Sequence, residues 1–371
     1  MTNIPEKMTA AILTGHGGFD KLEYRTDWPT PTPQPGEILI RVAACGINNT
    51  DINTRTAWYS PSVTSGTNAG GGAGFAEVDD AGDWGGTGLT FPRIQGADIV
   101  GRVVAVGDGV SDEWLGARVM VDPWLRDWSN PMDRYQAGFT GSECDGGFAQ
   151  YVARPERHVH RVTSPWSDEE LATFACAYIT AENMLSRSRV SRGETVLITG
   201  ASGGVGSALV QLAKRRGATV LAMAGVSKMA QVKSIGADAV FPRDVEDLPA
   251  AIVEATGAPQ VDVVADVVAG PIFKTLLAVL HRGGRYVTAG AIAGPIVELD
   301  VRTLYLKDLE LIGATVPTPD IFPALLRYIE AQEIRPLLAK AYPLAEITQA
   351  QQDFLDKTFV GKLVLVPPGE G

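Results

Sequence analysis

The sequence predicts an α/β protein in which a β-rich domain precedes a doubly wound parallel sheet. Three observations predict it. Between residues 165 and 315, short β-branched apolar runs alternate with helix-length segments, the pattern of a parallel sheet covered on both faces. Before residue 160 the apolar runs are short, strand-like and punctuated by glycine. One run, 195–199, enters a glycine-rich turn that opens a helix. A chain of 371 residues also has room for two domains.

Taken in order, residues 37–42 form a strand after the turn signal Pro35-Gly36. Residues 60–90 place Gly70-Gly71-Gly72, Gly74 and Gly85-Gly86 among Ser, Thr, Asn and Asp. That composition predicts a long surface loop, either a functional lid or a solvated insertion. Short strands return at 99–107 and 117–121. The alternating region then reads as strand 195–199, helix 204–216, strand 219–224, helix 227–235, strands 239–241 and 261–266, helix 271–281 and strand 284–289. A helix near 319–332 and a strand over 362–366 finish the chain. The predicted organisation is a β-rich domain over 1–164, an α/β domain over 165–314, and a return to the first domain over 315–371.

Composition excludes several functions. Hydrophobic residues are 45% and charged residues 20%, ordinary globular values. A net charge of -11 leaves no basic face for nucleic acid or an anionic membrane. Residues 1–10 carry Glu6 and Lys7 and lack the apolar stretch of a signal peptide. No apolar run approaches the ~20 residues of a membrane-spanning helix. Cys45, Cys144 and Cys176 are widely spaced and odd in number, which predicts a reducing, cytoplasmic setting rather than a disulfide framework. Without a Cys-x-x-Cys pair, a four-thiolate structural zinc lobe is excluded.

The strongest local signal is Thr195-Val196-Leu197-Ile198-Thr199-Gly200-Ala201-Ser202-Gly203-Gly204-Val205-Gly206. Gly203 and Gly204 let backbone approach a pyrophosphate, and Gly206 lets the helix pack on the strand. Ser202, Val205 and the free N–H groups of the helix start complete the anion site. Ala201 departs from the Gly-x-Gly-x-x-Gly pattern, and a tight turn without a ligand is the alternative. An NAD site would carry a carboxylate at the end of the second strand to hold the ribose 2′-hydroxyl. Here that stretch is Ala224-Gly225-Val226-Ser227-Lys228. Ser227 and Lys228, with Arg243, suit a 2′-phosphate, so NADP(H) is the expected cofactor.

With these motifs in place, the chain resembles the medium-chain dehydrogenase/reductase superfamily, and within it the zinc-free, quinone-oxidoreductase-like branch. The motifs are Pro35-Gly36-Glu37-Ile38-Leu39-Ile40-Arg41-Val42, Gly46-Ile47-Asn48-Asn49-Thr50-Asp51, Gly96-Ala97-Asp98-Ile99-Val100-Gly101, Gly146-Gly147-Phe148-Ala149-Gln150-Tyr151-Val152, the glycine turn, Gly283-Gly284-Arg285-Tyr286-Val287-Thr288 and Gly361-Lys362-Leu363-Val364-Leu365. They span nearly the whole chain. The resemblance implies a GroES-like β-rich domain and a Rossmann-type parallel sheet.

It also locates the place of a catalytic zinc. Zinc-dependent relatives carry Gly-x-Cys-x-Thr-Asp, where this chain has Asn48 in place of the thiolate. They carry Gly-His-Glu, where this chain has Gly96-Ala97-Asp98. Of the implied donors only Cys176 survives. Catalytic zinc takes three protein ligands and a water, so no metal is expected. The rival is a site rebuilt from Cys45 or Cys144 with Asp98 and Cys176. Cys176 also reads as a small buried core residue. His158 and His160, flanking Val159, read as surface residues, and His16 and His281 have no evident partner.

The resemblance implies that Asn48 lies beside the nicotinamide, that Thr50 takes the position of a proton-relaying hydroxyl, and that Tyr59 faces the substrate. Asp51 either orients Thr50 or caps a turn. Asp98 makes a buried contact or orients Asn48. Ala289, Gly290 and Ala291, at the C-terminal end of a sheet strand, would meet the carboxamide through their backbone. The expected activity is NADPH-dependent hydride transfer to a small molecule, a quinone or an α,β-unsaturated carbonyl, by a homodimer or homotetramer. The alternatives are an alcohol dehydrogenase with a rebuilt zinc site and a nucleotide-binding protein without turnover.

Overall fold

The segments 195–198, 219–224 and 261–266 carry consecutive apolar residues at 196–198, 220–224 and 263–265, which suits strands buried on both faces. In the computed structural model, which describes residues 4–75, 78 and 89–369, they are the centre of a six-stranded parallel sheet. Its order is Ala239–Pro242, Thr219–Ala224, Thr195–Ile198, Val261–Asp266, Leu280–Thr288 and Glu310–Gly313. In chain order this is 3-2-1-4-5-6. Val196 and Ile198 enter the core on one face, with helices Ala175–Arg187 and Gly204–Arg215. Leu197 enters the opposite core, with Leu248, Ile252 and Leu276. The strand order reverses between Thr195–Ile198 and Val261–Asp266, and a crevice opens there at the strands' C-terminal ends.

The β-rich part holds a seven-stranded sheet built on Glu37–Gly46 and Asp98–Val106, with Arg118–Val121 and Val159–Arg161 beyond. The end of the chain closes it, as Lys362–Val366 pairs with Glu37–Gly46 and with Leu338–Pro343. Residues 362–366 therefore lie against 45–46, beside the crevice.

Some expectations change. The helix expected over 271–281 stops at Ala278, because Leu280 already pairs with Val261 in the sheet. Helix 227–235 begins as a 3-10 turn, Val226–Lys228, before Met229–Ile235. Helices Ala175–Arg187, Leu248–Thr256 and Ile347–Asp356 are additional. His158 is buried rather than exposed, since its ring packs edge-on against Trp128. His160 is half-buried against Phe322. Burial holds both imidazoles down at about 4, so they stay neutral near pH 7. His281 has a partner after all, Asp262 at 2.8 Å.

Part of the glycine-rich 60–90 segment lies outside the described residues. The part up to Phe75 is tied down at several points, with Val63, Thr67 and Gly70 buried and exposed residues between them. Arg55, fully buried, donates to the carbonyls of Gly17 and Gly71 at 2.9 and 3.1 Å. Thr67 N–H donates to the Ile292 carbonyl at 3.1 Å, so the segment touches the loop that follows strand Leu280–Thr288.

Candidate active site

Helix Gly204–Arg215 starts without a side-chain cap, since Gly203 has none to offer. Its first-turn amides are therefore open to an anion. The glycines have separate duties. A Cβ on Gly206 would lie 2.2 Å from the Gly200 carbonyl, so this residue sets the helix against the turn, as expected. A Cβ on Gly204 would meet Lys362 Cδ at 2.8 Å. Gly204 thus makes room for a side chain from the other domain as well as for a phosphate. Beside the turn, buried Asp266 accepts from Val268 and Ala269 N–H at 2.8 and 3.0 Å and from the Thr199 and Tyr286 hydroxyls. This pins the loops at the reversal point.

A cavity runs from this turn into the β-rich domain. Gly203, Gly204, Val205 and Gly206 line one end, Ala289, Gly290 and Ala291 one side, and Asn48, Thr50 and Tyr59 the other end. Ser202 is just behind, its carbonyl accepting from Gly361 N–H at 3.0 Å. Ser227, Lys228 and Arg243 lie apart, past the end of strand Thr219–Ala224. Ser227 and Arg243 are exposed and Lys228 is half-buried. Lys228 Nζ donates to the carbonyl of Lys357, across the cleft. Burial, then the Arg243 charge, lowers the Lys228 ammonium. Burial, then the Lys228 charge, lowers Lys357 to about 8. Among the described residues none of these three cations has a carboxylate partner, so positive potential gathers there.

Asn48 caps helix Asn49–Thr56 from an extended backbone. Its N–H donates to Asp51 Oδ2 at 2.8 Å, and Asp51 Oδ1 accepts from Gly96 N–H at 3.3 Å. Asp51 is therefore a cap and does not orient Thr50. Burial is the main cause that pushes its carboxyl up to about 7. The Asn48 side chain points away from the helix. Its Nδ2 donates to Asp98 Oδ2 at 2.9 Å, and its Oδ1 accepts from Lys362 Nζ. Lys362 Nζ also donates to Asp98 Oδ2 at 2.8 Å. Asp98 Oδ1 accepts from Cys176 N–H at 2.6 Å, at the start of helix Ala175–Arg187. Asp98 is 0% exposed and the Lys362 side chain 4%, so this is a buried ion pair. Asn48 is held from both ends, with its carbonyl on the ammonium and its amide on the carboxylate.

Asp98 orienting Asn48 agrees with the expectation; Lys362 does not appear in it. Read in sequence, Lys362 is one residue of a closing strand. Its placement comes from Gly361, whose φ of +93° admits no ordinary side chain and whose added Cβ would lie 2.2 Å from the Leu337 carbonyl. Tyr59 is half-buried at the cavity's far end, its hydroxyl tied to Asn53. Burial raises that hydroxyl, so it stays protonated and can donate. Cys176 lines the cavity as well as packing against the core edge. Its thiol is raised by burial and held protonated. Cys45 is fully buried, facing Gly96 and Gly147. Among the described residues no group of three or more His, Cys, Asp or Glu could hold a metal ion.

Comparison with known proteins decides the family. The family described as "Alcohol dehydrogenase GroES-like domain" matches residues 34–164, and "Zinc-binding dehydrogenase" matches 204–331. A crystal structure from Sinorhizobium meliloti 1021, provisionally assigned there as an alcohol dehydrogenase, is 49% identical, with a TM-score of 0.90 and 99% of each chain covered. The chain belongs to the medium-chain dehydrogenase/reductase superfamily. Human quinone oxidoreductase is 27% identical over 97% of this chain and 98% of its own. An NAD-dependent alcohol dehydrogenase of Sulfurisphaera tokodaii is 26% identical over 97% of this chain and 100% of its own. As a medium-chain dehydrogenase/reductase, the protein is an oxidoreductase that works with a nicotinamide dinucleotide. Among the described residues no helix is long and apolar enough to cross a membrane.

Proposed function

We propose that this protein is an NADPH-dependent reductase of quinones or α,β-unsaturated carbonyls that works without catalytic zinc. The observation that carries the reading is the ammonium of Lys362, lodged between Asn48 and Asp98 and beside Cys176. That donor set does not fit a zinc ion. The Asn48 amide oxygen already accepts from a cation, Ala97 offers a methyl where relatives have an imidazole, and a fixed ammonium repels a second cation.

The residues present do fit the cofactor. The amides at Gly203–Gly206 would take the diphosphate, and the backbone of Ala289, Gly290 and Ala291 the carboxamide. Ser227, Lys228 and Arg243 would take the 2′-phosphate, a preference that the missing carboxylate after Ala224 supports. Bound NADPH supplies the hydride. The protein's part is to hold the acceptor against it, exclude water and stabilise charge on the substrate oxygen. Tyr59 would donate an O–H there, and Thr50 lines the same cavity. The segment through Thr67 closes over the same end.

We also propose a cytoplasmic homodimer. Glu310–Gly313 is an edge strand, and Leu311, Tyr305, Leu306 and Val301 near it are exposed. An unpaired edge beside an apolar patch suits pairing with a second copy. The alternative reading, an alcohol dehydrogenase, is favoured by the 49% identical relative.

The test is steady-state oxidation of NADPH and NADH with panels of quinones, enones and aldehydes, alongside metal analysis and chelator treatment. Turnover of enones or quinones with NADPH, unchanged by chelator, is expected. Stoichiometric zinc whose removal abolishes activity, or a preference for NADH, would overturn the proposal.

A further inference from the structure

Reduction of an enone or quinone places negative charge on a carbonyl oxygen. Two carboxylates, Asp51 and Asp98, stand behind the cavity wall and oppose that charge. Something cationic must outweigh them, and one side chain meets the requirement. Lys362 lines the cavity together with Asn48, Tyr59 and Cys176. Its ammonium carries three N–H donors. One goes to Asn48 Oδ1 and one to Asp98 Oδ2, and among the described residues the third has no protein acceptor.

The surroundings hold this side chain in place along its whole length. Gly361 N–H is bonded to the Ser202 carbonyl, and Lys362 N–H to the Leu337 carbonyl at 2.9 Å. The stem passes Gly204 and Ala177, where a methyl on Gly204 would collide with Cδ. Asn48 and Asp98 then fix the head. A charge held this way needs no reorganisation when the substrate oxygen becomes anionic, which is the condition for strong stabilisation.

We propose that Lys362 is a catalytic residue: its ammonium donates its remaining N–H to the substrate carbonyl oxygen and does the electrostatic work of a metal ion. The inference rests on the reductase reading. In the step, the substrate β-carbon gains the hydride, the C=C π pair shifts, and the carbonyl oxygen becomes an enolate oxygen hydrogen-bonded to Lys362. Water then supplies the proton that ends on the α-carbon, and Lys362 keeps its own protons. Asn48 and Asp98 act through Lys362 as positioning residues.

The test uses p-nitrophenol as a probe, because its ionised form alone absorbs in the visible. The full-length protein is saturated with NADP+, so any effect of the cofactor is common to all variants. Wild type is expected to shift the bound probe toward phenolate. The paired variant Lys362→Met/Asp98→Asn removes both charges together and so leaves no uncompensated ion in the fold. It is expected to lose the shift, bind the probe at least tenfold more weakly, and reduce enones about 10²- to 10³-fold more slowly. NADPH affinity is read by fluorescence on the same variants, so that rates are compared at saturating cofactor. Lys362→Arg, which keeps the charge, is expected to retain part of the shift. An undiminished phenolate shift in the paired variant, or an unchanged kcat, overturns the role of Lys362. Wild type that reduces no quinone or enone overturns the reductase reading instead, and the phenolate shift then still decides whether Lys362 presents its charge to the cavity.

Discussion

Replacing Asp98 by Asn is the sharpest probe of the buried pair. Asp98 accepts from Lys362 Nζ, Asn48 Nδ2 and Cys176 N–H, and all of these lie out of solvent. An amide cannot balance the ammonium, and its NH2 would face donors. Its one oxygen can accept from Lys362 only if its NH2 turns onto the Cys176 N–H, so one donor is left facing another. Breaking a buried pair from one side costs about 3–5 kcal/mol. With an unfolding entropy of about 2 cal/mol/K per residue, 371 residues lose about 4–7 °C of thermal midpoint if the chain melts cooperatively. Lys362→Met should cost less, because the carboxylate keeps two N–H donors. The paired variant should lie above Asp98→Asn alone, since no charge is stranded. Scanning calorimetry at low and high salt is the assay, and a buried pair should respond little to salt. A midpoint shift under 1 °C for Asp98→Asn, or strictly additive single effects, would refute the ion pair.

Lys228→Ala combined with Arg243→Ala should weaken NADPH by roughly 1.4 kcal/mol, a factor of ten, per charge removed and leave NADH unchanged; equal losses for both cofactors in fluorescence titration would count against a 2′-phosphate site. Burial and the Lys228 charge hold Lys357 at about 8, a lowered value that a bound phosphate should raise. Cofactor binding should therefore take up a proton near pH 8, with NADPH affinity constant below that pH and weakening as pH rises through it. Calorimetry in two buffers of different ionisation heat reads this, and Lys357→Gln should flatten the profile. Tyr59→Phe removes one donor and should lower kcat about 10- to 100-fold with little change in NADPH affinity, whereas a purely structural Tyr59 would show as a lower thermal midpoint with kcat kept. Leu311→Asp on the open edge strand should convert a dimer to monomers on light scattering.

Much of this protein was determined by sequence alone, wherever the signal was local. The glycine turn is legible because strand, turn and helix start occupy twelve consecutive residues, and each glycine has a backbone reason to be there. The departures from the zinc-ligand motifs are legible for the same reason, since Asn48 and Ala97 stand inside short motifs. His158 was misread because its burial depends on Trp128, thirty residues away. What surrounds Asn48 could only be decided by the tertiary structure. Lys362 lies 314 residues from Asn48 and 264 from Asp98. No spacing encodes their meeting, which depends on one strand returning to the first sheet at the angle Gly361 allows. A lysine in a closing strand reads as a solvated side chain until the fold brings a carboxylate and an amide to its ammonium.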